Sequence, residues 1–162
     1  VLQFPYFNKS AFSHWGEFLD RLDPFLEELP KLFRYGVEIR NKWWVREEFL
    51  SVLRRHDVAF VLSEVPYMPH PDELAKRMDI FTADWNYVRL IGDRKQTEAA
   101  TDLFDRVAVD KSEDLLRWAS FLRPAVAAAT ETFAYANNHY AGFGPGTIRE
   151  LAQLVHGPDS SG

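Results

Sequence analysis

Cysteine is absent from the 162 residues. That excludes a disulfide framework, a thiolate metal site and a cysteine nucleophile. It also suits a reducing compartment, and a cytoplasmic location is expected. No apolar run approaches the ~20 residues needed to span a membrane, so no membrane partner is expected. The chain opens with neither a signal peptide nor a methionine. Val1-Leu2-Gln3-Phe4 begins inside an apolar stretch, which predicts that further residues belong upstream. Positive charge is in deficit: 19 Lys and Arg face 24 Asp and Glu, for a net charge of -5. A whole-surface attraction to nucleic acid is therefore disfavoured, although a local basic cleft stays open because net charge averages over faces. Walker, GxGxxG, HExxH and GxSxG patterns are all missing, and no metal and no cofactor are called for.

Aromatics, by contrast, are plentiful: 13 Phe, 6 Tyr and 5 Trp. With 46% hydrophobic and 27% charged residues, this is the composition of a globular domain with a real core. Five short apolar segments read as buried strands, at 2–6, 36–40, 58–64, 86–91 and 132–137. Helical periodicity fills the stretches between them. In 15–29, Phe18, Leu19, Leu22, Phe25, Leu26 and Leu29 recur at three- and four-residue steps, and Pro30 stops the helix. Further helices are expected over 46–56, 72–78, 111 to about 130 and 148–156. Asp110 and Glu113 suit a capping box for the fourth of these, with Pro124 kinking or splitting it. Thr147 is the expected cap of the last.

Strands alternating with helices imply a parallel sheet with right-handed crossovers. Without repeats or low-complexity linkers, a single domain over 1–156 is expected, followed by a disordered tail, 157–162. Five β/α units suit either an open doubly wound sheet or part of an eight-stranded barrel. A complete barrel takes about 250 residues.

Candidate site residues follow from strand alternation. In 37–40, Val37 and Ile39 should face the covering helices, while Glu38 and Arg40 point inward near the strand's C-terminal end. The same logic turns Tyr87 and Arg89 inward on the fourth strand, Phe133, Tyr135 and Asn137 on the fifth, and Gln3 on the first. An arginine on such a strand is costly unless paired. Two arginines against one glutamate predict surplus positive charge, and guanidinium forks grip carboxylate and phosphate. Residues 137–147 hold three glycines and lead into a helix whose free N–H groups favour an anion, with Gly144 close to the ligand. The alternative is an ordinary Gly-rich turn. Of the five histidines, His139 alone lies beside this proposed site. Trp43 and Trp44 follow the Glu38/Arg40 strand, and either could stack on a ring or pack between helices. The Asp93-Arg94-Lys95-Gln96 segment reads as a loop, basic at its centre.

Four blocks occurring in order resemble those of the YecE-like family, a family of domains of unknown function. They are Leu2-Gln3-Phe4-Pro5-Tyr6-Phe7, Val37-Glu38-Ile39-Arg40-Asn41-Lys42-Trp43-Trp44, Tyr87-Val88-Arg89-Leu90-Ile91-Gly92 and Tyr135-Ala136-Asn137-Asn138-His139-Tyr140-Ala141-Gly142. The resemblance implies a TIM-like barrel of which this chain supplies the C-terminal portion, about five strands. It places Glu38, Arg40, Arg89, Asn137 and Asn138 at a shared site. Two departures bear on chemistry: Asn41 and Ile91 stand where the family often has histidine. The family transfers a site and no reaction.

Three readings follow. In the first, the protein is an enzyme for a phosphorylated or otherwise anionic substrate. Glu38 is its general acid or base, and Gln3, Arg40, Trp43, Arg89, Asn137, Asn138, His139 and Gly144 contact the ligand. In the second, the same cations bind nucleic acid or a phosphate ligand without catalysis. In the third, the chain is a fragment without activity of its own.

Overall fold

Residues 1–157 are described by a computed structural model of the chain. The apolar runs form the five strands, the first three trimmed and the last two shifted one residue toward the N-terminus: β1 is Leu2–Gln3, β2 Gly36–Glu38, β3 Ala59–Glu64, β4 Trp85–Leu90 and β5 Glu131–Ala136. They make one sheet in the order β1-β2-β3-β4-β5. The first two pairings are parallel, with Leu2 opposite Val37 and Gly36 opposite Ala59. Helices occupy the chain between strands, so the architecture is an α/β fold with a five-stranded parallel sheet, the pattern of part of a TIM-like barrel. The tail expected to be disordered lies outside the described residues from 158 onward.

Two compact units make up the chain: Val1–Leu62 with Tyr67–Tyr87, and Ser63–Pro66 with Val88–Gly162. In the first unit, α1 (Trp15–Glu27) buries Phe18, Leu22 and Leu26, a stripe with four-residue spacing. Its start is tied down by His14, whose Nδ1 accepts from the Gly16 N–H. Phe25, expected on the same stripe, is exposed. α2 (Glu47–Arg55) buries Phe49, Leu50, Val52 and Leu53, carries two glutamates in its first turn and two arginines in its last, and so matches the helix dipole at both ends. His56 closes it, with Nε2 2.6 Å from Asp23 and Nδ1 3.2 Å from Glu27. A short α3 (Pro71–Ala75) follows. Buried Thr82 then completes the entry to β3: its hydroxyl accepts from the Phe60 N–H and donates to the Val58 carbonyl, both at 2.7 Å.

The second unit departs further from expectation. The basic segment after β4 is no loop: Asp93 accepts from the N–H groups of Lys95 and Gln96 and starts α4 (Arg94–Ala100). α5 (Ser112–Ala128) runs through Pro124 as one helix, burying Leu115, Trp118, Ala119, Leu122 and Ala125. Asp110 does receive the Ser112 N–H at 2.9 Å, but the residue flanking the helix is Lys111 and no capping box with Glu113 forms. A single turn, α6 (Asn138–Ala141), follows β5. The last helix, α7, spans Gly144–His156 and begins one turn earlier than expected. Thr147 is therefore no cap. It is buried inside the first turn and donates its hydroxyl to the Phe143 carbonyl. Pro145 sits at the helix start, where its missing N–H costs nothing.

Candidate anion cleft and strand-end carboxylates

β2 is buried along its whole length. Val37 and Ile39 are buried, and between them the Glu38 side chain is wholly enclosed. Enclosing a carboxylate is expensive without a partner. Arg40 supplies one, with its guanidinium against Glu38 Oε1. The opposite nitrogen of that guanidinium lies 3.4 Å from the Tyr67 hydroxyl. Arg40 thus stands between a buried carboxylate and an exposed phenol.

Asn41, next in the chain, is buried and does what a backbone does. Its Oδ1 accepts from the Phe7 N–H and its Nδ2 donates to the Phe7 carbonyl, both at 2.8 Å. This two-point pair extends the β1–β2 pairing past the strand ends and fixes the segment after β1. Behind it, Phe7 stacks on Trp44 with centroids 5.9 Å apart, Phe12 packs edge-on to the same tryptophan, and Phe18 lies tilted against it at 5.0 Å. Of the two tryptophans, then, Trp44 packs, while Trp43 is 73% exposed with Lys42 over its ring.

Between these segments lies a cleft of about 700 Å³ at the C-terminal ends of β1 and β2. Lys9, Arg40 and Lys42 line it, and among the described residues no carboxylate does. Tyr6, Trp43 and Tyr67 form its walls, each more than half exposed. Arg40 and Trp43 are the expected site residues that the cleft brings together. Glu38 lies beneath Arg40, enclosed, and Gln3 is exposed and outside the lining.

The remaining expected residues belong to the second unit, where several have internal work. Arg89 is half-buried on β4, alternating with buried Val88 and Leu90. Asn137 caps α6, its Oδ1 taking the His139 N–H at 3.1 Å and lying 3.0 Å from His139 Nδ1. His139 Nε2 is 3.3 Å from Glu98, so both ring nitrogens have protein partners. Arg94 also binds Glu98, at 2.7 Å, and this contact chiefly holds the Glu98 carboxyl below its usual range. Asn138 Oδ1 accepts the Gly144 N–H at 2.9 Å. That bond takes up the Gly144 N–H at the start of α7. Gly144 itself is explained by packing: a Cβ there would stand 2.5 Å from the Ala136 carbonyl oxygen.

One group emerges only in three dimensions. Glu64, the last residue of β3, accepts hydrogen bonds at Oε2 from the Trp118 indole N–H and from the Tyr140 hydroxyl, the latter at 3.0 Å. Burial, then the Glu64 charge, push the Tyr140 phenol far above its ordinary value, so it stays a donor. The sequence signal for Glu64 is modest: a lone acid ending an apolar strand. Among the described residues, no three His, Asp or Glu side chains gather as a metal ion requires, and no helix is long and apolar enough to cross a membrane.

The fold and these strand-end groups define a β/α-barrel type of domain whose polar residues collect after the strands. The chain belongs to the DUF72 family, described as proteins of unknown function, whose model matches residues 1–161. A DUF72 family protein from Thermotoga maritima shares the fold, with a TM-score of 0.64 and 24% identity over 94% of this chain. Two crystal structures of a DUF72 family protein from Enterococcus faecalis give TM-scores of 0.59 and 0.58 at 14% and 15% identity, again over 94% of this chain. The chain spans 55% of the Thermotoga protein's length and 57% and 59% of the Enterococcus chains. No curated protein matches it.

Proposed function

We propose that this chain is the C-terminal part of a YecE-like barrel and binds a small anionic ligand, phosphorylated or carboxylated, in the cleft beside Arg40. The observation that carries the reading is the lining: three cations, no carboxylate among the described residues, and three exposed aromatic rings. Cations select the anion, and an exposed ring offers a stacking face to whatever the anion is attached to. Sites of this fold lie at the C-terminal ends of strands, where this cleft sits. Glu38 is the candidate general acid or base. Enclosed and paired with Arg40, it reaches a ligand only if the ligand's anion draws the guanidinium away. Arg89, Asn137, Asn138 and His139 belong to the second unit, where the last three already have internal partners, so the reading rests on the Arg40 cleft and leaves any ligand contact by those four as a separate proposal within that unit. A cytoplasmic location belongs to the same reading and fits a chain without cysteine.

The test is a titration of the protein with inorganic phosphate and with adenosine 5′-monophosphate, read by tryptophan fluorescence and calorimetry. Binding of the nucleotide is expected to be tighter than that of phosphate, and to weaken in Arg40→Met and Trp43→Ala. No binding of either compound at low ionic strength ends the anion reading. Unchanged turnover in Glu38→Gln, once a substrate is known, removes Glu38 from chemistry.

The exposed rings beside cations also favour a second reading, single-stranded nucleic acid laid along the cleft. It predicts affinity for a short oligonucleotide that falls steeply as sodium chloride rises. The net charge of -5 weighs against it.

A further inference from the structure

Glu64 differs from Glu38 in how its charge is met. Glu38 is neutralised by an arginine. Glu64 is held by two neutral donors, both on the same oxygen, and both donor side chains are wholly buried. Lys111, the cation packed over the Tyr140 ring at 5.4 Å, is itself paired with Asp114 at 2.9 Å. Both of these hydrogen bonds to Glu64 fall on Oε2, and the side chain keeps partial exposure.

A structural role does not need this arrangement. Trp118 and Tyr140 each want one acceptor, and an amide carbonyl would satisfy both. A full charge adds a desolvation cost that neutral donors repay only in part. The charge becomes useful when something outside the protein meets the second oxygen. Two donors on Oε2 lock the carboxylate plane, so the lone pairs of Oε1 point in a fixed direction, as preorganised sites require. The position is the C-terminal end of a parallel strand, the face at which barrels of this type keep their chemistry.

We propose that Glu64 is a ligand-binding carboxylate, accepting at Oε1 a hydrogen bond from a hydroxyl or ammonium group of a small molecule. Trp118 and Tyr140 are its positioning residues. The proposal rests on the second unit alone and stands whether or not the Arg40 cleft binds anions.

Trp118 is a built-in reporter, because its indole N–H shares the carboxylate. The experiment follows the Trp118 indole proton by ¹H–¹⁵N spectroscopy of the whole chain, assigned by its loss in Trp118→Phe. Ribose and glucose probe the hydroxyl arm, and methylammonium the ammonium arm. At least one probe is expected to shift the resonance saturably. Affinity should fall about tenfold to a hundredfold in Glu64→Gln, the range for losing a hydrogen bond to a charged group. Glu64→Gln retains an acceptor for both donors, and a Glu64→Asp variant, which keeps the charge but retracts it, guards against misfolding and should also bind more weakly. Inorganic phosphate, the probe of the Arg40 cleft, should leave the Trp118 resonance in place, which separates this result from the cleft. No saturable shift with any of the three probes overturns the proposal, as does a shift of undiminished affinity in both Glu64 variants.

Discussion

Replacing Asn41 by aspartate changes one nitrogen to one oxygen and abolishes one hydrogen bond. In the native chain the side-chain amide both accepts from and donates to Phe7, at 2.8 Å each way. In Asn41→Asp the bond from the Phe7 N–H survives, while the other becomes a close approach of carboxylate oxygen to carbonyl oxygen. Leaving a part-buried carbonyl without its donor costs about 1–3 kcal/mol, and the oxygen–oxygen repulsion adds to it. For a chain of this size each kcal/mol lowers Tm by about 2–4 °C, so a fall of about 2–12 °C or more is expected. The sign with pH is opposite to that of an ordinary surface acid. Once protonated, the new carboxyl can donate to the Phe7 carbonyl, so folding favours its protonated form and raises its pKa above the unfolded value of about 3.9. The folded state then binds more protons than the unfolded one, and stability declines as pH rises through that window. Urea denaturation of both proteins across acidic and neutral pH measures this. The stability gap should be widest at neutral pH and narrow on acidification. Equal stability at neutral pH, or a gap that widens as pH falls, refutes the claim that the Asn41 amide holds the segment after β1.

Three further outcomes are expected. Thr82→Val is close to isosteric but strands the Phe60 N–H and the Val58 carbonyl. Two buried groups at about 1–3 kcal/mol each give a loss of about 2–6 kcal/mol, whereas Thr82→Ser should lose far less in the same urea series. Gly92→Ala should severely reduce the yield of folded protein: φ is +76° and the added carbon would stand 2.5 Å from Tyr140 Cα, so thermal melts should show a large drop or no transition. For Glu98, Arg94 chiefly depresses the pKa below 4.5, so its contribution is present above that pH and is lost as pH falls through the lowered value. The stability difference between the native chain and Glu98→Gln should accordingly shrink on acidification below pH 4.5, as followed by circular dichroism.

What the sequence determined by itself was local. Period-two apolar runs and helical stripes are properties of adjacent residues, so the five strands and the helices around Phe18, Leu50 and Leu115 were legible, as was the placing of Glu38 beside Arg40. Two short elements were not: α4 and α6 are one or two turns, too brief for periodicity, and depend on caps by Asp93 and Asn137, whereas the equally short α3 was expected. The family blocks pointed to the strand ends but could not say which polar groups there are already spent. Only the tertiary structure decided that His139 and Asn138 bond within the chain, and that Gly144 serves a close approach to Ala136. It alone paired Asn41 with Phe7, 34 residues away, and gathered Trp118 and Tyr140 onto Glu64 across 54 and 76 residues. The reason is physical. Hydrophobic periodicity records which face of an element is buried, whereas a polar side chain's role depends on which distant donor or acceptor folding delivers to it, and no local pattern encodes that partner.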